Sequence, residues 1–242
     1  MTDFTSVIQG PLNEISLNNL ENYLKFGKVI ISHWASDSFE LVREFDNVIY
    51  VSQTFPGKNI PDGCDPASTF YWAVRSTHLG IIMVDSEYVI KTRSDEFFSD
   101  LNPLIEQVLE NDEKLVCGNI FYRKHQDIPC HIGDHLFAAK TSTLKSAYQD
   151  LIKEYHSGEV SLAYRQQRGW SAEQIVAAAF LRQKEVNLAP RRPVDIEIVK
   201  EHFDVIDVNL LGDYKVRWGH KNLDWENNFS NQWGINSIED VI

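Results

Sequence analysis

The sequence predicts an α/β fold of a single domain, with a mostly parallel central sheet, helices on both of its faces and a mixed α/β carboxyl-terminal part. Two observations support this prediction. Short, continuously apolar runs alternate with stretches of helical periodicity along the first half of the 242-residue chain. Such runs are typical of parallel strands that are buried on both faces.

The first half of the chain contains four predicted strands. The first begins at Phe4 and stops at Gly10-Pro11, and the others lie at 29–34, 47–51 and 87–92. Helices are predicted between them at 15–26, 39–45 and 68–79, the first ending at Gly27 and the third closed by Gly80. Because strands and helices alternate, we expect ligands beyond the carboxyl ends of the strands.

The second half predicts helices at 101–110, 141–154 and 171–181 and strands at 115–122, 132–138, 205–210 and 214–218. Beyond these strands the chain is rich in Asn and Trp and shows no clear period. This change of character predicts the mixed carboxyl-terminal part.

The balance of charge argues against a nucleic-acid partner. The 35 Asp and Glu residues exceed the 23 Lys and Arg residues, and the net charge of −12 repels a polyphosphate chain. The basic residues nevertheless gather in three pairs, which suits one small phosphorylated ligand: Lys91 with Arg93, Arg123 with Lys124, and Arg191 with Arg192.

The cysteines and the apolar runs bear on the compartment. Cys64, Cys117 and Cys130 are odd in number and lack the spacing of a metal site, so neither a disulfide framework nor a zinc cluster is predicted. No run approaches the ~20 apolar residues that span a bilayer, and the amino-terminal segment shows no signal-peptide pattern. We therefore expect a cytoplasmic protein without a transmembrane segment, and a peripheral position at a membrane stays open.

Charged residues of both signs follow the fourth predicted strand, in the segment Lys91-Thr92-Arg93-Ser94-Asp95-Glu96. Lys91 and Arg93 project on one side of an extended strand and could present two cations to a phosphate. A carboxylate such as that of Asp95 can hold Mg²⁺ or Mn²⁺, which would neutralise a diphosphate. A solvated turn is the alternative interpretation of the segment.

Three segments of the first half resemble the WavE lipopolysaccharide-synthesis family in order and spacing. They are Val7-Ile8-Gln9-Gly10-Pro11, Tyr71-Trp72-Ala73-Val74-Arg75-Ser76-Thr77 followed by Gly80, and Tyr88-Val89-Ile90-Lys91-Thr92-Arg93-Ser94-Asp95. The resemblance implies a GT-A-like glycosyltransferase that binds a nucleotide-sugar, with Arg-Ser-Asp as a variant of the Asp-x-Asp metal motif. Arg93 takes the place of the first carboxylate, which leaves Asp95 as the sole acidic ligand of the motif.

The resemblance continues more loosely through His131-Ile132-Gly133-Asp134-His135-Leu136-Phe137 and Trp170-Ser171-Ala172-Glu173-Gln174. It implies an acceptor side that supplies a carboxylate to deprotonate the attacking hydroxyl, and Asp134 and Glu173 are the two candidates for this catalytic role. The alternatives are a turn former at Asp134 and a helix-capping carboxylate at Glu173.

Histidines are the next candidates on the acceptor side. The resemblance makes His220 a candidate metal ligand near the carboxyl terminus. His131 and His135 lie four residues apart on a predicted strand, so we expect them on one face, lining the acceptor pocket.

The nucleotide-sugar-binding candidates join Lys91 and Arg93 from three further places in the chain, and they are Gln9, Gly10, His33 and Arg75. Gln9 and Gly10 end the first strand, where an amide and a closely approaching backbone could contact the base or simply form a turn. His33 stands near the end of the second strand. The Arg75 side chain either reaches solvent or points at phosphate.

The predicted function is transfer of a sugar from a nucleoside-diphosphate donor to a glycan or other hydroxyl acceptor, in the synthesis of cell-surface polysaccharide or glycan. Within the single domain 1–242, residues 1–112 form the predicted donor-binding half and 113–242 the acceptor-binding half. A nucleotidyltransferase, whose glycine-rich basic opening motif is missing here, and a non-catalytic nucleotide-sugar-binding module are the alternatives. The sequence does not distinguish UDP-, GDP- and CMP-type donors.

Overall fold

The structure is a computed structural model that describes residues 3–37, 45–54, 69–120, 130–157, 172–186, 195–216 and 219–220, the last two by their backbone alone. Its strands are β1 (Phe4–Gln9), β2 (Lys28–Trp34), β3 (Val48–Gln53), β4 (Tyr88–Arg93), β5 (Phe97–Phe98), β6 (Leu115–Gly118), β7 (Phe137–Lys140), β8 (Phe203–Ile206), β9 (Tyr214–Val216) and β10 (Gly219–His220). Seven of them form a central sheet in the order β3-β2-β1-β4-β7-β6-β8, and β10, β9 and β5 form a small second sheet.

The central sheet is mostly parallel, which confirms the predicted fold class. β3, β2, β1 and β4 pair in parallel, and so do β6 and β8. β7 alone runs antiparallel to both of its neighbours, β4 and β6. The amino end of β7 therefore lies at the carboxyl edge of the other strands.

Helices cover both faces of the sheet, as predicted. They are α1 (Glu14–Asn18), α2 (Leu20–Tyr23), α3 (Thr69–Ile82), α4 (Asn102–Glu110), α5 (Thr141–Ser157), α6 (Ala172–Arg182) and α7 (Ile196–His202). Residues of α3, α5 and α6 pack in one hydrophobic core, and residues of α1, α2 and α4 pack in a second. The sheet separates the two cores, because adjacent residues of a strand face opposite sides: in β1, Val7 belongs to the first core and Ile8 to the second.

Two helix predictions are wrong in detail, and polar contacts explain the first. The predicted helix 15–26 is interrupted at Asn19, whose side-chain amide donates to the backbone carbonyl of Glu96 at 2.7 Å. The helix predicted to close at Gly80 continues to Ile82. A Cβ at position 80 would lie 2.5 Å from Val7 Cγ1, so the glycine lets α3 approach β1 closely instead of ending the helix.

The second half differs more from the prediction. The strand expected at 132–138 begins only at Phe137, so residues 131–136 are an irregular segment before β7. The strand expected at 205–210 is β8 followed by a 3-10 helix, and α7 was not predicted. The predicted helix 39–45 lies almost wholly outside the described residues.

None of the helices in the described ranges combines the length and apolar character needed to traverse a lipid bilayer.

Candidate active site

Charged side chains converge at the carboxyl edge of the central sheet. Gln9, the last residue of β1, is paired with Arg93, the last residue of β4, and Lys91 is paired with Phe137 at the start of β7. Since β7 is antiparallel, the segment before it reaches the same edge that the segment after β4 reaches. Two parts of the chain about 40 residues apart are thus brought together.

Arg93 and Asp95 form an ion pair with two hydrogen bonds. Arg93 Nε donates to Asp95 Oδ1 at 2.9 Å, and Nη2 donates to Oδ2 at 3.0 Å. Burial opposes the ionised form of Asp95, but the hydrogen bond from Arg93 and the charges of Arg93 and His135 together outweigh it and lower the pKa of the carboxyl group. Burial likewise opposes the charged guanidinium, yet Asp95 and Glu96 raise the pKa of Arg93. The pair is charged at neutral pH.

Glu96, the residue after Asp95, is fully buried. Its Oε1 forms a very short contact with His135 Nδ1 and lies 3.7 Å from Arg93 Nε. Its Oε2 has no hydrogen-bond donor among the described residues. His135 is therefore the main compensation for this buried carboxylate, and the histidine is tied to the end of β4.

Lys91 is buried beneath the segment that precedes β7. Its Nζ donates to the backbone carbonyl of Asp134 and lies 5.4 Å from the centre of the Phe137 ring. Burial lowers the pKa of Lys91, and the nearby Asp134 carboxylate partly offsets this effect. Lys91 thus holds the Asp134 segment in place while adding positive charge below it.

Asp134 lies next to several positive or titratable groups. Burial raises its pKa, but the charges of Lys91, His135 and Arg93 outweigh burial and lower it. Its Oδ1 is 3.7 Å from His135 Nε2, and 17% of its side chain is exposed. Asp134 is consequently an ionised carboxylate that a ligand can reach.

His131 and Glu173 connect the same segment to a helix. His131 Nε2 lies 3.3 Å from Glu173 Oε2 in the first turn of α6. His131 is buried, and the Glu173 side chain is 21% exposed. The prediction that His131 and His135 share one face of a strand is wrong, because both precede β7; they contact different carboxylates instead.

Gly10 shapes the end of β1. Its φ is +130°, and a Cβ there would lie 2.5 Å from Ser94 Oγ. The Gln9 carbonyl accepts from the Ser94 N–H at 2.9 Å, and the Gly10 N–H donates to the Ser32 carbonyl at 3.1 Å. Gln9 and Gly10 are therefore packed directly against the residues that carry the charged cluster.

His33 lies at the end of β2 beside a carboxylate that the sequence analysis missed. His33 Nδ1 is 3.0 Å from the Trp34 carbonyl and 3.5 Å from Asp37 Oδ2. Asp37 Oδ2 also accepts from the Leu12 N–H at 2.8 Å and the Trp34 N–H at 3.1 Å. Asp37 thus ties the segment after β1 to the turn after β2. An Asp three residues beyond a strand end is a turn signal that could have identified it.

The remaining candidates stand apart from the cluster. Arg75 is half-buried in the middle of α3, and no hydrogen bond or ion pair joins it to another described residue. The backbone of His220 pairs with Lys215 in the small sheet, and its side chain lies outside the description. The pairs Arg123 with Lys124 and Arg191 with Arg192, together with Cys64, fall outside the described residues.

The described residues do not fit a divalent cation as they are arranged. Both oxygens of Asp95 accept hydrogen bonds from Arg93, and a guanidinium at this position would repel a cation. Within the described ranges, no group of three or more His, Cys, Asp or Glu side chains is arranged to hold an ion. Metal binding by Asp95 and His220 therefore stays a prediction.

A family model described as WavE lipopolysaccharide synthesis matches residues 4–219, a range that contains every strand of the central sheet and the whole charged cluster. No curated protein matches the chain.

Two solved structures that are similar to the chain are of HddC from Yersinia pseudotuberculosis. One is 12% identical with a TM-score of 0.38, and the other, complexed with GMP-PN, is 13% identical with a TM-score of 0.37. Each match covers 60% of this chain and 79% of that chain.

Proposed function

Because this chain belongs to the WavE lipopolysaccharide synthesis family, we propose that it is a glycosyltransferase that transfers a sugar from a nucleoside-diphosphate donor to a hydroxyl group of a glycan. The observation that carries the proposal is the charged cluster at the carboxyl edge of the sheet. Ligands of open α/β sheets bind at this edge. A phosphorylated donor and a hydroxyl acceptor need the two kinds of group found there, cations and an ionised carboxylate.

In the proposed reaction, the acceptor oxygen forms a bond to the anomeric carbon while the bond from that carbon to the diphosphate breaks. The acceptor hydroxyl loses its proton to a carboxylate, and the departing diphosphate keeps the electron pair. Negative charge on the leaving group must be offset by nearby positive charge. Arg93, whose side chain is 22% exposed, and the buried Lys91 are the cations of the cluster.

We assign the proton-accepting role to Asp134. A base must be ionised before it can accept a proton, and the lowered pKa of Asp134 keeps it ionised at neutral pH. Asp134 also lies in the same cluster as Arg93, so donor phosphate and acceptor hydroxyl can be held side by side. Glu173, which lies beside His131, is the second candidate.

The end of β1 is the proposed contact for the nucleoside. The Gly10 backbone is free of a Cβ at the strand end, and the half-buried Gln9 carries an amide that can donate and accept. Both residues bond to neighbouring strand ends, which fixes their position relative to Arg93. A cytoplasmic site of action remains part of the proposal.

The test is incubation of the purified protein with a panel of UDP-, GDP- and CMP-sugars, followed by measurement of free nucleotide. A glycosyltransferase should hydrolyse its own donor slowly even without acceptor. Asp134→Asn should lower turnover with acceptor by about 10²–10⁴-fold. Asp150→Asn, on the exposed part of α5, is the matched control and should leave turnover unchanged.

Each alternative outcome has a definite meaning. Turnover that requires pyrophosphate would identify a nucleotidyltransferase, and binding without turnover would identify a non-catalytic module. Full activity in Asp134→Asn combined with its loss in Glu173→Gln would transfer the role of base to Glu173. Circular dichroism of each variant separates loss of chemistry from loss of fold.

A further inference from the structure

The Arg93–Asp95 pair lies where a ligand can reach it. The two side chains are 22% and 35% exposed, and they follow directly from the end of β4 at the ligand edge. Two N–H groups of the guanidinium bond to Asp95. A guanidinium has five N–H donors, so the bonds recorded among the described residues leave three for another anion.

The carboxylate of Asp95 is already paired with a positive charge. Both of its oxygens face the guanidinium at hydrogen-bond distance. A metal ion at these oxygens would lie beside the Arg93 guanidinium, whose positive charge repels it, and Lys91 adds a second positive charge nearby. The geometry is that of a cation held by a counter-ion.

Neighbouring groups keep Arg93 in this position. Glu96, fully buried and in contact with His135, lies 3.7 Å from Arg93 Nε. The partly exposed carboxylate of Asp95 and the buried one of Glu96 thus both lie near Nε of the guanidinium. An incoming phosphate can replace the exposed carboxylate, while the buried one continues to orient the side chain.

We infer that Arg93 binds the diphosphate of the donor directly, in exchange for Asp95, and that the site therefore takes a nucleoside diphosphate without a divalent cation. This inference rests on the proposed function. Guanidinium binds a phosphate with two parallel hydrogen bonds, the same pattern that it makes with Asp95. Asp95 is then a resting partner of Arg93 rather than a metal ligand.

The two possible roles of Asp95 predict opposite effects of one substitution. If Asp95 were a metal ligand, Asp95→Asn would weaken nucleotide binding. If Asp95 competes with phosphate for Arg93, removing its charge should strengthen binding, by about threefold to tenfold for one weakened charged hydrogen-bonded pair. Arg93→Gln should weaken binding at least about tenfold, because a hydrogen-bonded charge is lost from the phosphate.

The experiment is calorimetric titration of the full chain with UDP, GDP and CDP, in EDTA and in Mn²⁺. We expect one nucleotide to bind in EDTA, with its affinity nearly unchanged by Mn²⁺, more tightly to Asp95→Asn and more weakly to Arg93→Gln. Asp150→Asn and Arg182→Gln, in pairs away from the cluster, are the charge-matched controls and should bind as the wild type does. Melting of each variant without nucleotide shows whether it is folded.

Binding that requires Mn²⁺ and disappears in Asp95→Asn would overturn the inference and leave the proposed function standing. Equal affinity in Asp95→Asn and the wild type would also overturn it, since Asp95 would then not compete for Arg93. If none of the three nucleotides binds under either condition, the proposed function fails and the inference fails with it.

Discussion

The two edges of the central sheet use charge in different ways. At the amino edge, Lys140 lies 2.6 Å from both Asp112 and Glu113, and Lys184 also contacts Glu113, whose side chain is 69% exposed. At the carboxyl edge, Glu96 is fully buried, and the charged groups around it are mostly shielded from water. The first arrangement is a solvated network, and the second is a partly desolvated cluster.

This difference separates charges that water screens from charges that are buried. Exposed ion pairs contribute little to stability, because water and salt screen them. Buried charges cost free energy unless each has a partner, and they interact strongly with any ion that enters their surroundings. The carboxyl edge is therefore the part of the molecule where a change of one charge should have large consequences.

The largest expected effect is on the buried carboxylate. Glu96→Ala should lower the free energy of unfolding by about 3 kcal/mol, because the contact between Glu96 and His135 is lost in a buried site. Glu113→Ala, the matched change at the amino edge, should cost less than about 1 kcal/mol. Urea unfolding of both variants measures the two values.

Glu96→Gln removes the charge of the side chain but keeps its size, so it separates the contribution of the charge from that of packing. The amide oxygen can still accept from His135 Nδ1, so the variant should be more stable than Glu96→Ala. Equal stabilities of the Glu96→Ala and Glu113→Ala variants would contradict the distinction between the two edges.

A smaller effect is expected from the backbone beneath the cluster. Gly10→Ala should cost about 1–3 kcal/mol, because the residue has φ +130° and the new Cβ would meet Ser94 Oγ. Adding Ser94→Ala should recover part of that loss by removing the oxygen. Thermal melts of the single and double variants give the comparison.

Gly118→Ala is the control for this substitution. Gly118 does not have a positive φ, and a Cβ there would meet its neighbours only at 3.8 Å, so the change should be nearly neutral or stabilising by up to about 1 kcal/mol. If Gly118→Ala lowered the stability as much as Gly10→Ala, the conformation of Gly10 would not explain the cost of its substitution.

The smallest expected effect is the pH dependence of the amino edge. Hydrogen bonds from Lys140 and Lys184 lower the pKa of Glu113 from 4.5 to about 2. Since the pKa is lower in the folded state, the stabilisation is present above about pH 4.5 and is lost as the pH falls toward 2. Its size stays below about 1 kcal/mol because the group is exposed.

The measurement compares wild type and Glu113→Gln by urea unfolding between about pH 6 and about pH 3. At the upper pH the wild type should have a slightly larger free energy of unfolding than Glu113→Gln, and this difference should decrease as the pH falls. When Lys140 is also replaced by Gln, the Glu113→Gln substitution should change the free energy of unfolding by a smaller amount. If the difference in free energy of unfolding increased as the pH falls, Glu113 could not have a lowered pKa in the folded protein.

The central part of the fold could be predicted because strands that are buried on both faces of a sheet are recognisable in the sequence as apolar runs. β2 and β4 each contain a continuous apolar run, and the alternation with helices indicates the parallel sheet. The position of β7 could not be read in the same way. β7 has only four residues, and the apolar residues before it, such as Ile132, are buried without belonging to a strand.

The site could be predicted only where residues follow a strand end directly. Arg93 and Asp95 were identified for that reason, although their mutual bonding was not. The contact of Glu96 with His135 depends on the turn at Ser94 and Asp95, which is closed by a hydrogen bond from the Glu96 N–H to the Arg93 carbonyl, and on the antiparallel course of β7. Neither feature has a signal in periodicity, because both are set by tertiary packing.

The antiparallel course of β7 has a consequence for how the site can change. The connection between β6 and β7 leaves the sheet after Gly118 and returns at Phe137, on the same side and between adjacent strands. Because the connection starts and ends on adjacent strands, a change in its length need not move either of them. Under the proposed function, the acceptor side could therefore change here while the strands that carry Gln9 and Arg93 stay in place.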